Sequence, residues 1–178
     1  LNQFPETPES VPALGDLAIS YMELAIKDAE AMLMAETVVA HLSERFSAND
    51  SLAREAGDQV RRIGDRFGEM QMEDKKRQTY ALFFRDFPTH YAAGQLVMSF
   101  GEREFLAKNF NGAMEYYNQI TETYTNSPYY YDALNRITQI HKEEGRNQEE
   151  IKALELYVEK VEARPRPGNA LVAGRFRL

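Results

Sequence analysis

The chain has 178 residues, of which 43% are hydrophobic and 28% are charged, a composition typical of globular proteins that excludes wholesale disorder. It contains no cysteine, which excludes disulfides, thiol nucleophiles and thiolate metal sites. The formal net charge is −7, yet residues 1–162 carry 17 basic and 28 acidic side chains, a net of −11. Such an acidic body argues against nucleic acid as a partner, because it would repel the phosphates, and it also serves solubility.

Apolar side chains recur at helical spacing almost throughout, and no stretch shows the sustained alternation that marks a strand. The pattern over residues 11–46 predicts two helices with a break near Lys27-Asp28. Pro88 predicts the end of a fourth helix, and Gly145 predicts the C-terminal cap of a seventh. We therefore expect an all-α chain of eight helices in four hairpins. No window approaches ~18 consecutive apolar residues, so no integral membrane segment is predicted.

The chain divides into three predicted parts. Residues 1–10 form an N-terminal extension, residues 11–163 a helical repeat domain, and residues 164–178 a basic, Pro-containing and non-helical tail. The tail has no acidic residue and combines four arginines with apolar side chains. Such a segment can dock on an acidic groove in its own molecule, or in a neighbouring one by self-association. The alternatives are the start of a further domain or a flexible end.

The predicted hairpins repeat with a period of 37 residues. This shift superimposes four sets of positions: Ile63-Gly64, Phe100-Gly101 and Ile137-Thr138; Tyr80, Tyr117 and Leu154; Phe83, Ile120 and Tyr157; Phe87, Tyr124 and Val161. A repeat of this length built from two helices indicates an α-solenoid, in which neighbouring pairs stack to bury a continuous core. We expect a right-handed solenoid of about four helix-turn-helix pairs.

Within these repeats the chain resembles the tetratricopeptide repeat (TPR) family. That pattern places a large apolar residue beside Gly in the first helix, then an Ala and an aromatic residue in the second helix, then Pro. One unit fits through Val97, Phe100, Gly101, Ala113 and Tyr117, and another through Val60, Ile63, Gly64, Phe67, Tyr80 and Pro88. The pattern is broken at Lys76, Glu104 and Thr138. Pro128 comes three residues late, and the period exceeds the 34 residues of the family. The resemblance covers residues 52–163 well and residues 11–50 loosely.

The segments between units, at 87–90 and 124–127, resemble repeats of bacterial envelope proteins. Those include BamD-like outer-membrane-assembly lipoproteins and Tol-Pal-associated periplasmic proteins. The resemblance implies a non-catalytic protein-binding scaffold in a bacterial cell-envelope assembly, periplasmic or associated with the outer membrane. The alternatives are a cytoplasmic TPR adaptor or regulator, and an enzyme with an unrecognised site on a helical scaffold.

Few residues suggest catalysis or ligand chemistry. His41 and Glu44 could share one helix face, but an isolated pair of this kind is usually a solvated histidine beside a carboxylate. No P-loop and no Gly-x-Ser-x-Gly elbow is present. We expect no catalytic residues, no metal and no cofactor.

The repeat predicts a partner-binding surface. If Gly64, Gly101 and Thr138 contact the paired helix, the concave face of the first helices is fixed by the helical period. The predicted concave stripe is then Asp58, Arg61, Asp65, Gln95, Met98, Glu102, Phe105, Asp132, Asn135, Gln139 and Lys142. A polar, partly acidic groove of this kind suits an extended or helical peptide from a partner protein. The alternative is a face that only contacts solvent.

Overall fold

The computed structural model describes residues 5–25 and 28–163, and within them the chain forms eight α-helices and no β-strand. The all-α prediction is therefore confirmed for this part of the chain. The predicted non-helical tail, residues 164–178, lies outside the described residues. The helices are α1 (Ser10–Leu24), α2 (Ala29–Phe46), α3 (Ala53–Glu69), α4 (Glu73–Asp86), α5 (Ala93–Leu106), α6 (Phe110–Thr123), α7 (Tyr130–Glu143) and α8 (Asn147–Glu162).

The chain divides into two compact units, one ending at Ala93 and one beginning at Gly94. In the first unit α1 packs on α2 and α3, and α3 packs on α4. Its core includes Leu14, Leu42, Phe46, Phe67 and Phe83, each at most 1% exposed. In the second unit α7 packs on both α6 and α8, and the core is formed by Val97, Tyr117, Ile120, Leu134 and Ile140. That residues 11–163 form one repeat domain stays a prediction.

The predicted break between the first two helices falls near Asp28. Helix α1 ends at Leu24, and α2 begins at Ala29. The Asp28 carboxylate accepts a hydrogen bond of 2.9 Å from the Glu30 N–H, which satisfies one of the open donors at the start of α2. An aspartate in extended conformation before the helix thus separates two runs of apolar residues that the sequence pattern nearly joins. The other predicted break residue, Lys27, lies outside the described residues.

The turns inside the last three helix pairs repeat the same backbone conformation. Each turn has one residue of positive φ, and these residues are spaced by 37 positions: Gln71 at 60°, Lys108 at 59° and Gly145 at 69°. Each turn also closes with the same hydrogen bond, from the N–H of the third residue after the helix to a carbonyl in its last turn: Met72 to Phe67, Asn109 to Glu104 and Arg146 to His141, at 2.8–2.9 Å. This is the Schellman motif. The 37-residue period therefore holds in the local structure of these turns.

A glycine in the first helix and a tyrosine in the second bring two of the pairs together. A Cβ added at Gly64 would lie 2.9 Å from Cε1 of Tyr80, and one added at Gly101 would lie 2.6 Å from Cε1 of Tyr117. Both rings are buried. In the last pair the same register holds Thr138, which is buried, and a leucine instead of the tyrosine. The predicted contact of Gly64 and Gly101 with the paired helix is confirmed.

A second glycine contact recurs where one pair leads to the next. A Cβ at Gly57 would lie 2.6 Å from Cδ2 of His90, and Gly94 lies against the side chain of Ser127 in the same manner. His90 and Ser127 are also 37 positions apart. Each follows the end of a second helix and donates its backbone N–H to the carbonyl three residues earlier. The histidine and the serine therefore perform one packing role in two consecutive repeats.

Both ring nitrogens of His90 have partners. Nδ1 accepts a hydrogen bond of 3.2 Å from the Ala92 N–H, so the proton is on Nε2, which lies 3.1 Å from the Arg54 carbonyl. Protonation would place a second N–H against the Ala92 donor. Burial lowers the pKa of His90, although Asp58 nearby opposes this shift. The fold therefore holds His90 as the neutral imidazole.

His90 should make stability depend on pH. Its folded pKa lies below the ordinary value of 6.5, so the unfolded chain binds more protons as the pH falls below 6.5. We expect the free energy of unfolding to decrease between pH 7.5 and pH 5.5, and to decrease less in His90→Gln. Urea unfolding at the two pH values measures this. Burial also lowers the pKa of His41 and His141, which accounts for the remaining slope. Equal slopes in both proteins would contradict the assignment.

The glycine-tyrosine contact can be tested by a double-mutant cycle. Gly101→Ala should lower the free energy of unfolding by ~1–3 kcal/mol, because overpacking against the Tyr117 ring outweighs the better helix propensity of alanine. In a Tyr117→Leu background the same change should cost about 1 kcal/mol less, since the last pair already combines a Cβ with a leucine at these two positions. Urea denaturation of the four proteins gives the coupling. Additive effects would show that the ring does not require the glycine.

Candidate functional site

The clearest concave polar surface of the second unit is a groove between α5 and α7. It has a volume of about 360 Å³. We call it the α5–α7 groove, and it is lined by Met98, Glu102, Asp132, Asn135, Arg136 and Gln139. These residues lie on the first helices of two successive pairs, so the stacking of the pairs determines which side chains face each other.

The structure brings together five of the eight predicted stripe residues of this unit. Met98, which is only 9% exposed, is the apolar member, and the other four are polar: Glu102, Asp132, Asn135 and Gln139. A sixth, Phe105, contacts the groove indirectly through its ring. Gln95 and Lys142 are exposed on the same two helices but are not among the lining residues.

Glu102 and Arg136 join the two walls of the groove. Arg136 Nε donates to Glu102 Oε1 and Arg136 Nη2 donates to Oε2, both at 2.7 Å. This two-bond geometry is the strongest form of a carboxylate–guanidinium pair. The third guanidinium nitrogen donates to Gln139 Oε1 at 2.7 Å, and the guanidinium carbon lies 4.8 Å from the centre of the Phe105 ring. Arg136 therefore contacts one residue on each of three sides and has little freedom to reorient.

The buried Tyr117 also holds the carboxylate of Glu102. Its hydroxyl donates to Glu102 Oε1 at 2.9 Å, while its ring packs against Gly101. Burial of the ring, and then the hydrogen bond to Glu102, raises the pKa of Tyr117 far above its ordinary value of 10.0, so the hydroxyl remains a donor. The core of the helix pair thus determines where the Glu102 carboxylate lies in the groove.

The first unit contains the equivalent arrangement around Asp65. The hydroxyl of Tyr80 donates to Asp65, which precedes Glu102 by one repeat. Arg61 Nη1 donates to the other oxygen of Asp65 at 2.8 Å, and Arg61 Nε lies 4.0 Å from Asp58. Asp58 in turn accepts a hydrogen bond of 2.6 Å from the Tyr91 hydroxyl. The three predicted stripe residues of this unit therefore form one cluster on α3, in which Arg61 is hydrogen-bonded to Asp65 and ion-paired with Asp58.

The last pair lacks this arrangement in all three of its members. At the positions of glycine, acid and tyrosine it has Thr138, Gln139 and Leu154. The leucine has no hydroxyl to hold an acid, and the acid is replaced by an amide, which accepts from Arg136. The joint replacement indicates that glycine, acid and tyrosine operate as one unit.

Arg136 is the groove residue that the sequence prediction missed. It lies one position after the predicted stripe residue Asn135, so the helical period assigns it to the neighbouring face. Its partner Glu102 is 34 residues away, a separation at which no short motif pairs two charges. The sequence therefore carries no signal for this ion pair.

A second concavity, of about 440 Å³, lies in the first unit and was also not predicted. It is lined by Ser47, Asp50, Ala53, Arg54, Asp86, Phe87, Thr89, His90 and Tyr91. Four of its polar side chains already have partners within it or beside it. Asp86 pairs with Arg85 at 2.7 Å, Arg54 lies 5.1 Å above the Tyr91 ring, and both nitrogens of His90 are occupied. We therefore assign this region to the packing of the connection between two pairs.

The α5–α7 groove is suited to hydrogen bonding. Three donors reach the Glu102 carboxylate, so this group is held in one position. The exposed carboxylate of Asp132 and the amides of Asn135 and Gln139 lie beside it. Among residues 5–25 and 28–163, no three His, Asp or Glu side chains are grouped to hold a metal ion. None of the helices in this same part of the chain has the length and apolarity needed to cross a membrane.

Comparisons with family models, with curated proteins and with solved structures give no match to this chain.

Proposed function

We propose that this protein is a non-catalytic interaction scaffold, a TPR-like right-handed α-solenoid that binds a peptide segment of a partner protein. The observation that supports this most directly is the α5–α7 groove, in which the core tyrosine Tyr117 holds Glu102, and Glu102 in turn holds Arg136. A surface that is oriented before binding loses less side-chain entropy when a peptide binds. The recurrence of turns and glycine contacts every 37 residues supports the solenoid.

The lining residues suggest what such a peptide presents. Asn135 and Gln139 are one helical turn apart on α7, and their carboxamides can bond the N–H and C=O groups of an extended chain. Asp132, one turn earlier, can pair with a basic side chain. Met98 offers an adaptable apolar contact between these polar groups. We therefore infer a ligand with one basic and one apolar side chain in an extended segment.

The setting that we propose is a bacterial cell-envelope assembly. The support is the resemblance of segments 87–90 and 124–127 to repeats of bacterial envelope proteins. Within these two segments of the chain, His90 and Ser127 occupy equivalent packing positions. A signal peptide or lipobox encoded upstream of Leu1 would support this setting. Localisation of the full-length protein to the cytoplasm would instead favour a cytoplasmic adaptor.

The groove proposal is tested with peptides and one pair of matched variants. Peptides enriched from a random phage-displayed library on the intact chain are titrated against wild type, Asn135→Arg and Asn111→Arg. Asn135 lines the groove, whereas Asn111 is exposed on α6 outside it. We expect Asn135→Arg to weaken binding by about tenfold or more, because the new side chain fills the groove and repels a basic ligand, and Asn111→Arg to change it less than about twofold.

Two outcomes would contradict the groove proposal. One is that no peptide is enriched over a control without protein. The other is that the enriched peptides bind Asn135→Arg as tightly as wild type, which would place the binding surface elsewhere on the chain.

A further inference from the structure

Helix α8 presents an apolar face with no partner among the described residues. None of its side chains is buried. Ile151, Leu154, Val158 and Val161 are 55%, 45%, 50% and 43% exposed, and their spacing of three and four places them in one stripe. Side chains of this size rarely form a continuous exposed stripe on a protein surface. The stripe therefore marks a contact surface.

The repeat register shows that two of the four stripe positions are buried in earlier pairs. Leu154 stands at the position of Tyr117, which is 0% exposed, and Val161 stands at the position of Phe87, which is 4% exposed. Helix α6, which carries Tyr117, packs on the first helix of the next pair, α7. By the same arrangement α8 would pack on a helix that follows it in the chain.

In the 37-residue period, residues 167–178 stand at the positions of such a following segment. The period places Pro167 at the position of Tyr130, the first residue of α7. Ala170 then corresponds to Ala133, and Leu171 corresponds to Leu134 and Val97, all of which are at most 2% exposed. Gly174 and Arg175 depart from the pattern at the positions of Phe100 and Gly101, which contact the second helix of their own pair, and Arg177 departs at the position of the buried Ile140. A last segment that has no second helix needs no match at the first two positions.

Charge supports the same occupant. Beside the apolar stripe, α8 carries Glu155, Glu159 and Glu162. Residues 163–178 contain four arginines and no acid, so this segment complements the acidic edge. A second copy of α8 would instead bring a second set of glutamates to the same place. The short connection after α8 also keeps the segment at high effective concentration.

We propose that residues 167–178 cover the apolar face of α8 in their own molecule, in the register of a further repeat. The segment then shields the end of a stacked array, as a terminal repeat must. The proposal is independent of the function of the α5–α7 groove.

Two matched substitutions in the intact chain test this register. Leu171→Asp changes a residue that the register places against α8. Phe176→Asp changes an equally large apolar residue, but one that corresponds to the half-exposed Glu102 and Gln139. Amide hydrogen exchange of residues 151–161 is measured in both variants and in wild type. We expect exchange in α8 to accelerate by at least about tenfold in Leu171→Asp and by less than about twofold in Phe176→Asp.

A substitution on α8 itself provides a second test of the proposal. Val158→Asp should accelerate exchange in α8 as Leu171→Asp does, because both substitutions disrupt the same contact between α8 and residues 167–178. If Val158 were uncovered, the substitution would leave exchange unchanged. Far-UV circular dichroism checks that the variants remain folded, and light scattering gives their mass. Equal exchange in Leu171→Asp and wild type would overturn the proposal. A wild-type dimer that Leu171→Asp converts to a monomer would also overturn it, because the segment would then bind a neighbouring molecule.

Discussion

This architecture depends on the contact between a tyrosine ring and a glycine, which has no Cβ. At Gly101 the ring of Tyr117 lies where a methyl group would be 2.6 Å away, so the two helices approach more closely than any larger residue allows. This approach brings the tyrosine hydroxyl to the acid that follows the glycine, at 2.9 Å from Glu102. Tyr80 reaches Asp65 in the same way. One contact therefore both packs the helix pair and orients a carboxylate at its surface.

The candidate site follows from that orientation. A lone ion pair between side chains that are about one third exposed contributes little to stability, ~1 kcal/mol or less. The pair of Glu102 and Arg136 differs because Tyr117 fixes the acid from the core, and Phe105 and Gln139 fix the guanidinium from either side. Three polar residues of the α5–α7 groove, Glu102, Arg136 and Gln139, are thus held in position, and a scaffold can present them to a peptide without first ordering them.

The sequence predicted the features that follow from a repeating period, but not the contacts between side chains that are far apart in the chain. The spacing of Gly64 and Gly101 predicted their contact with the paired helix, and the helical period then placed five residues that line the groove. Arg136 was missed because its partner is 34 residues away. The turns at Gln71 and Lys108 gave no signal either, because only the third turn has the glycine that positive φ favours. In those two turns the Schellman bonds hold other residues in a conformation that they seldom adopt.

The central claim is that the buried tyrosine holds the groove acid, and a double-mutant cycle of Tyr117→Phe and Glu102→Ala measures it most directly. The phenylalanine removes only the hydroxyl and keeps the packing of the ring on Gly101. From urea unfolding of the four proteins we predict a coupling free energy of about 1 kcal/mol between the two side chains, the usual contribution of a hydrogen bond to a charged group at a partly exposed site. A coupling indistinguishable from zero would contradict the account, because the carboxylate would then be placed by something other than the core of its helix pair.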